Sequence, residues 1–301
     1  MRHRRMMILA LMFLSAAFAG KKKSDPDTEV LELPKDPPMV AVGESARLVF
    51  HVSPVSSKGL LTAQTRDALK AILKANGGAP VIHIRAFVAG SGDLRRVPQI
   101  VSEVFSAKKM PLPSVSVVLA GALPMEGAQI VIEAVSSAKK LVNPNGLTFI
   151  AATAPDQLPA QLLSVTCFVS SLDGANALAA RFPGAAVDIV QTQRTPSRSD
   201  TRCEAVARGG AGAPHLAFTG TQVAFGRDEK AAALAFQRLD HELTAAGASQ
   251  VDVLEIHVYA LSDRLGELAR KVRASALSVV PFEGVASLDG SFAIDAIAAV
   301  H

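Results

Sequence analysis

Residues 132–135 read Ile132-Glu133-Ala134-Val135, residues 203–206 read Cys203-Glu204-Ala205-Val206 and residues 294–297 read Ile294-Asp295-Ala296-Ile297. Each run sets one carboxylate inside an apolar tetrapeptide, and each closes a longer stretch with the same order of elements. A recurring order of this kind decides the fold before any single motif does.

Reading backwards from the first run gives a strand over residues 48–53 and a helix over 61–76. The helix carries Leu61, Ala63, Ala68, Leu69, Ile72 and Leu73 at helical spacing and stops at Gly77-Gly78. A strand over 81–88, a second helix over 93–108 and two strands over 115–120 and 128–135 follow, the first of these two opened by Pro113. The order is β-α-β-α-β-β. The third copy predicts a strand at 216–219, a helix at 229–246 ended by Gly247, a strand at 251–260, a helix at 263–274, and a hairpin opened by Pro281 and closed by a strand at 292–297. The middle copy predicts strands at 147–152 and 163–169, a helix at 174–181, Pro183, and strands at 187–193 and 202–207. Only about ten residues separate its first two strands, so it lacks the first helix.

These 301 residues are 49% hydrophobic and 19% charged, with 5% aromatics and no Trp, enough apolar matter for several cores built on Ala, Val, Leu and Ile. Arg2, Arg4 and Arg5, the apolar run 6–13 and the small-residue site Ala17-Phe18-Ala19 read as a signal peptide over 1–19, predicting export to the periplasm or medium. The apolar run is too short to span a bilayer, so no membrane association is expected after cleavage. The formal charge is +4; losing Arg2, Arg4 and Arg5 from 31 basic side chains nearly balances the 27 acidic ones. No basic stripe interleaved with aromatics occurs, so nucleic acid is not an expected partner. Residues 20–38, charged and Pro-rich, read as a linker. The expected domains are a first repeat over 39–139, a truncated second over 145–209 and a third over 213–301. Gly209-Gly210-Ala211-Gly212 reads as the linker between the last two.

Gln64-Thr65-Arg66, the helix after it, the strand ending Phe87-Val88, and the run from Pro113 to Val135 resemble a whole Rid (YjgF-type) domain in order and spacing. The third copy is similar over residues 216–298, with Thr219-Gly220 in the place of the family's Ser-Gly. The resemblance implies an α/β (α+β) chain of three fused Rid/chorismate-mutase-like β-α-β-α-β-β domains. Rid proteins are homotrimers with a central barrel and ligand clefts between subunits, so this chain is expected to be a monomeric pseudo-trimer.

The resemblance also implies enamine or imine hydrolysis, which needs an Arg two residues after the Pro that opens the third strand, to clamp a substrate carboxylate. The matching positions are read as Val115, Ala185 and Glu283, so the clamp is missing and a diverged protein that binds a small molecule or a protein partner is expected, with an active deaminase or a structural module as rival readings. Arg198, in Pro196-Ser197-Arg198, offers another register for the middle copy, but Pro196 precedes Glu204 by only eight residues where Pro113 precedes Glu133 by 20, and Arg198 is read as a turn residue. The carboxylates Glu133, Glu204 and Asp295 are the remaining catalytic candidates.

Along the second strand of each copy, one parity is polar or aromatic: His83, Arg85 and Phe87; Ser164, Thr166 and Phe168; Glu255, His257 and Tyr259. Alternate side chains point to opposite faces, so this set is expected to face the barrel or the clefts, and the apolar set the helices. Arg85 and His257, with Glu255, Thr219 and Gly220, are the candidate ligand-binding residues, Arg85 and His257 as a replacement anion site or an internal hydrogen-bond network. His83, His257 and Glu255 are metal-ligand types, but their spacing points to no metal, and no cofactor motif is present. Cys167 and Cys203 fall in the second and last strands of the middle copy, which the resemblance implies are neighbours, and are read as free or bridged.

Overall fold

The computed structural model describes residues 35–43, 48–137, 146–192, 200–209, 215–274 and 277–300, all within the compact unit 34–301. The signal-peptide reading, Arg198 and most of the Gly-rich linker lie outside the described residues.

The first repeat contributes β2 (Leu48–Val52), α1 (Leu61–Ala75), β3 (Val81–Val88), α2 (Asp93–Ala107), β4 (Ser114–Leu119) and β5 (Ile130–Ser137). A short strand β1 (Val40–Gly43) precedes them. The middle repeat has β6 (Leu147–Thr153), β7 (Ser164–Val169), α3 (Ala175–Ala179), β8 (Ala186–Gln191) and β9 (Thr201–Arg208). The third has β10 (Leu216–Phe218), β11 (Gln222–Ala224), α4 (Glu229–Ala245), β12 (Val253–Ala260), α5 (Asp263–Val272), β13 (Leu277–Pro281), β14 (Gly284–Val285) and β15 (Phe292–Ala299).

Three sheets share one strand order. They run β2-β5-β3-β4, β6-β9-β7-β8 and β10-β15-β12-β13, in each case first, last, second and third strand of the repeat. The second and third strands pair parallel, and the last strand runs antiparallel between the first and second. A parallel pair needs a crossover, which α2, α3 and α5 supply. The fold is therefore the expected α/β pseudo-trimer. In the middle repeat only a single 3-10 turn, Pro155–Gln157, stands between the first two strands, so its first helix is indeed missing.

The outer faces carry the helices. Leu61, Thr65, Ala68, Leu69, Ile72 and Leu73 form the buried side of α1, and with Val97, Val101 and Phe105 of α2 they cover Ile84, Ala86, Ile132 and Ala134. Gly77, at φ 64°, takes the left-handed turn after α1 that a Cβ would disfavour. Ala232, Ala235, Phe236, Leu239 and Leu243 do the same for the third sheet. The middle sheet has only the five-residue α3 on this face, and there Cys167 and Cys203, directly opposite each other on β7 and β9, are joined as a disulfide. The thiols left open by the sequence are thus bridged.

The inner faces meet on a common axis. Phe87, Phe168 and Tyr259, one from each second strand, gather around Phe282, with ring centroids 5.7, 6.3 and 5.5 Å from it. Phe282 belongs to the passage from β13, in the third sheet, to β14, which pairs with β8 of the middle sheet. One end of the axis holds a second apolar cluster, including Leu48 and Phe50, Leu147 and Phe149, and Leu216 and Phe218. A register shift before His83 and another before Glu255 turn Ile82 and Leu254 into this cluster and away from the helices, where strict alternation had placed them.

Two segments differ from the sequence reading. Residues 40–43 pair with β6 and so extend the middle sheet, although they precede the first repeat. In the third repeat Pro281 ends the third strand and does not open it. The sequence register there was wrong because Pro281-Phe282 serves the axis plug.

Candidate functional site

Between the aromatic layer and the apolar end lies a buried polar layer, and strand pairing fixes its members. Arg85 is opposite Glu133 and beside Ser116; Thr166 is opposite Glu204 and beside Asp188; His257 is opposite Asp295 and beside Ser278. These are three equivalent triplets. Side chains of one parity on a strand share a face, so nine residues converge on the axis with His83 and Glu255 beside them.

The bonds run across the repeats. Arg85 Nε and Nη2 engage Glu204 of the middle repeat, and Nη1 reaches Glu133 Oε2 at 3.1 Å. Nη2 also approaches Thr166 Oγ1 at 3.4 Å and Nη1 the Tyr259 hydroxyl at 3.5 Å. Ser278 of the third repeat donates to Glu133 Oε1. Thr221 donates to Asp188 Oδ1 at 2.5 Å, joining the third repeat to the second. His257 Nδ1 lies 2.5 Å from Asp295 Oδ1, and His83 Nδ1 2.7 Å from Ser114 Oγ.

Burial would discharge every one of these groups; at Arg85, Glu204 and His257 the partners outweigh it, and at Glu133, Asp188 and Tyr259 they do not. Arg85 loses solvent, but Glu204, Tyr259 and Glu133 hold its guanidinium well above the ordinary range. Glu204 is pushed up by burial and pulled far below the carboxylate range by Arg85 and His83. Asp295, Glu133 and Glu255 outweigh burial at His257 and keep it an imidazolium. Burial raises Glu133 despite His257 and Arg85, and burial with the Asp295 charge raises Asp188 well above its usual value. The Tyr259 hydroxyl is raised by burial and by Asp295.

Of the two readings of Arg85 and His257, their contacts fit the internal hydrogen-bond network and not the replacement anion site, because carboxylates from neighbouring strands already face both cations. The layer is short of positive charge, and an anion would find no free donor fork. The catalytic candidates Glu133, Glu204 and Asp295 lie together in this layer, 5%, 4% and 4% exposed. Thr219 and Gly220 stand elsewhere: Thr219 Oγ1 accepts from the Ala296 amide at 2.8 Å, and Gly220 packs beside the Val187 backbone. Thr219 is thus bonded within the third repeat, and Gly220 lies at the seam between the third and middle sheets.

The strand register also corrects the clamp positions. Val115 precedes Ser116 by one residue, so its equivalents are Val187, before Asp188, and Leu277, before Ser278. Ala185 stands two residues too early and Glu283 lies past the far end of β13. All three positions in this register, Val115, Val187 and Leu277, are aliphatic.

A cleft of about 310 Å³ opens where the first and middle sheets meet. Val115 and Val117 of β4 with Leu94 and Pro98 of α2 line one side; Phe168, Ser170, Thr192, Asp200 and Arg202 line the other. Arg202 Nε is 3.5 Å from Asp200 Oδ2, and both side chains are more than half exposed. Sequence reasoning missed Arg202, although its place two residues before Glu204 on an alternating strand puts it on the same face.

No family model matches the sequence, and no curated protein does. Similar solved structures include Rv2704 of Mycobacterium tuberculosis, a member of the YjgF/YER057c/UK114 family, at 22% identity over 29% of this chain and 80% of its own, with a TM-score of 0.26. Escherichia coli TdcF with bound serine is 20% identical over 36% of this chain and 97% of its own, TM-score 0.28. A chorismatase is 11% identical and spans 86% of this chain and 99% of its own, TM-score 0.45.

Proposed function

We propose that the chain is an exported, monomeric Rid-like protein of three fused copies, which binds a small amphipathic molecule in the cleft between its first and middle repeats and has lost imine hydrolysis. The cleft carries this reading: its volume suits a small ligand, its wall is aliphatic and aromatic, and Arg202 and Asp200 supply a cation and an anion at one side. An anionic head group would pair with the Arg202 fork and displace its loose contact with Asp200.

Loss of catalysis follows from the side chains at the clamp positions. Val115, Val187 and Leu277 carry no charge, and Glu133, Glu204 and Asp295 are engaged with Arg85 and His257 in the polar layer, away from the cleft. Export rests on the sequence of residues 1–19 and fits a buried disulfide, which persists in oxidising compartments. Among the described residues no helix is long and apolar enough to cross a membrane.

Thermal-shift and NMR titration with a panel of small aliphatic carboxylates test the binding. A ligand is expected that loses at least about tenfold in affinity on Arg202→Ala, the cost of one charge-assisted pair; binding indifferent to that variant overturns the assignment. A 2-imino acid assay is expected to run at the buffer rate, and robust turnover refutes the diverged reading. Light scattering is expected to give one chain per particle, and a stable trimer would argue against fusion. Protein recovered from the cell envelope is expected to begin after Ala19 and to show no free thiol when unfolded without reductant.

A further inference from the structure

Arg85 is already committed to Glu204 and Glu133, and His257 faces Glu133, Glu255 and Asp295 together. Charge is not the only deficit there. Glu255 is 5% exposed, yet its Oε1 has no hydrogen-bond partner, and the same residue lines a small cavity of about 50 Å³ on the axis with Glu133 and His257. A buried carboxylate oxygen without a partner costs about 1–3 kcal/mol or more, so something is expected to fill that place.

The distances say what. His257 Nε2 lies 3.6 Å from Glu133 Oε2 and 3.5 Å from Glu255 Oε2, too far for good hydrogen bonds. They are close to the edge of a tetrahedron, about 3.4 Å, around an ion some 2.1 Å from each ligand. All three ligand atoms lie within 4.8 Å of one another. The other ring nitrogen, Nδ1, bonds Asp295 at 2.5 Å. A carboxylate behind a histidine in this way fixes the ring and directs the opposite nitrogen's lone pair at a metal. Glu133 Oε2 also receives Arg85, and a carboxylate oxygen has lone pairs for both.

We propose that Glu133, Glu255 and His257 form a buried site for a divalent cation of the zinc class, with Asp295 orienting the imidazole. Glu133 comes from the first repeat and Glu255 and His257 from the third, so the ion ties the two ends of the pseudo-trimer together across the axis. On binding, any proton on His257 Nε2 leaves to solvent and that nitrogen's lone pair goes to the ion. One imidazole and two carboxylates suit Zn²⁺, Mn²⁺ or Fe²⁺ better than Ca²⁺ or Mg²⁺, which favour all-oxygen sites.

Full-length protein expressed with added zinc, then dialysed, gives the test by plasma mass spectrometry. Stoichiometric zinc is expected in the parent and background zinc in Glu255→Gln, which keeps volume and shape; circular dichroism checks that this variant folds. Asp295→Asn, which reaches the ion only through His257, is expected to weaken zinc by about 10–100-fold in competition with a chelating dye. Co²⁺ in place of zinc is expected to show the visible absorption of a tetrahedral site in the parent and none in His257→Asn. The proposal is overturned if the parent holds no more zinc than Glu255→Gln and melts at one temperature with zinc and with chelator. Zinc retained equally by all the variants overturns it too, since the ion then sits elsewhere.

Discussion

The aromatic layer of the axis takes a ring from every repeat, Phe87, Phe168 and Tyr259, whereas the polar layer two residues earlier takes Arg85, Thr166 and His257. Both layers stand at equivalent positions of the same three strands. Dispersion has no sign, so three similar rings can meet on an axis and gain from it. Charge has a sign, and three arginines there would repel one another in a medium that screens little. A homotrimer cannot escape that identity. A fused chain can, and here one arginine, one threonine and one histidine share the layer with Glu133, Glu204 and Asp295. The difference teaches that fusion matters most where the packed groups are charged.

The largest expected effect breaks the polar layer. Arg85→Met leaves Glu204 and Glu133 buried without their cation, and a loss of about 3–5 kcal/mol is expected by urea unfolding. Adding Glu204→Gln should restore part of it, a coupling that a double-mutant cycle reads directly. If the single variant costs under about 1 kcal/mol, Arg85 is not the cation that holds Glu204 and Glu133 in the layer.

A smaller effect sharpens the comparison, because the layer is also over-supplied with acid. Asp188 has a folded-state pKa raised well above 3.8 by burial and by Asp295. Its linked stability is therefore full below 3.8 and is lost as pH rises through the raised value. Asp188→Asn mimics the protonated form and still accepts from Thr221. It should stabilise the chain by about 1–3 kcal/mol at pH 8, with the gain shrinking towards pH 4. A gain that does not change with pH would mean that Asp188 is charged in the folded chain.

The smallest effect belongs to the dry layer. Phe168→Leu changes shape without stranding a polar group and is expected to cost less than about 1.5 kcal/mol. A loss as great as that of Arg85→Met would erase the contrast between the layers.

Much of this was legible in the residues. The element order, the missing helix of the middle repeat and the face presented by Arg85, Thr166 and His257 follow from periods of 3.6 and 2, which are local properties of the chain. The threefold Leu-x-Phe of Leu48 and Phe50, Leu147 and Phe149, and Leu216 and Phe218 was equally open to reading, and it marks the start of each repeat. So was the warning at Pro281: it precedes Asp295 by only 14 residues, where Pro113 precedes Glu133 by 20.

The tertiary structure alone decided which side chains meet. Arg85 finds Glu204 across 119 positions, and Ser278 finds Glu133 across 145. Periodicity gives a side chain its face but not its partner on another sheet. That depends on how far each sheet slides along the axis before its aromatic ring seats against Phe282, a packing condition set by all three repeats together. The same docking decided between the two readings of Arg85 and His257 in favour of an internal hydrogen-bond network, because Glu204 reaches Arg85 from another sheet whose approach no local pattern encodes.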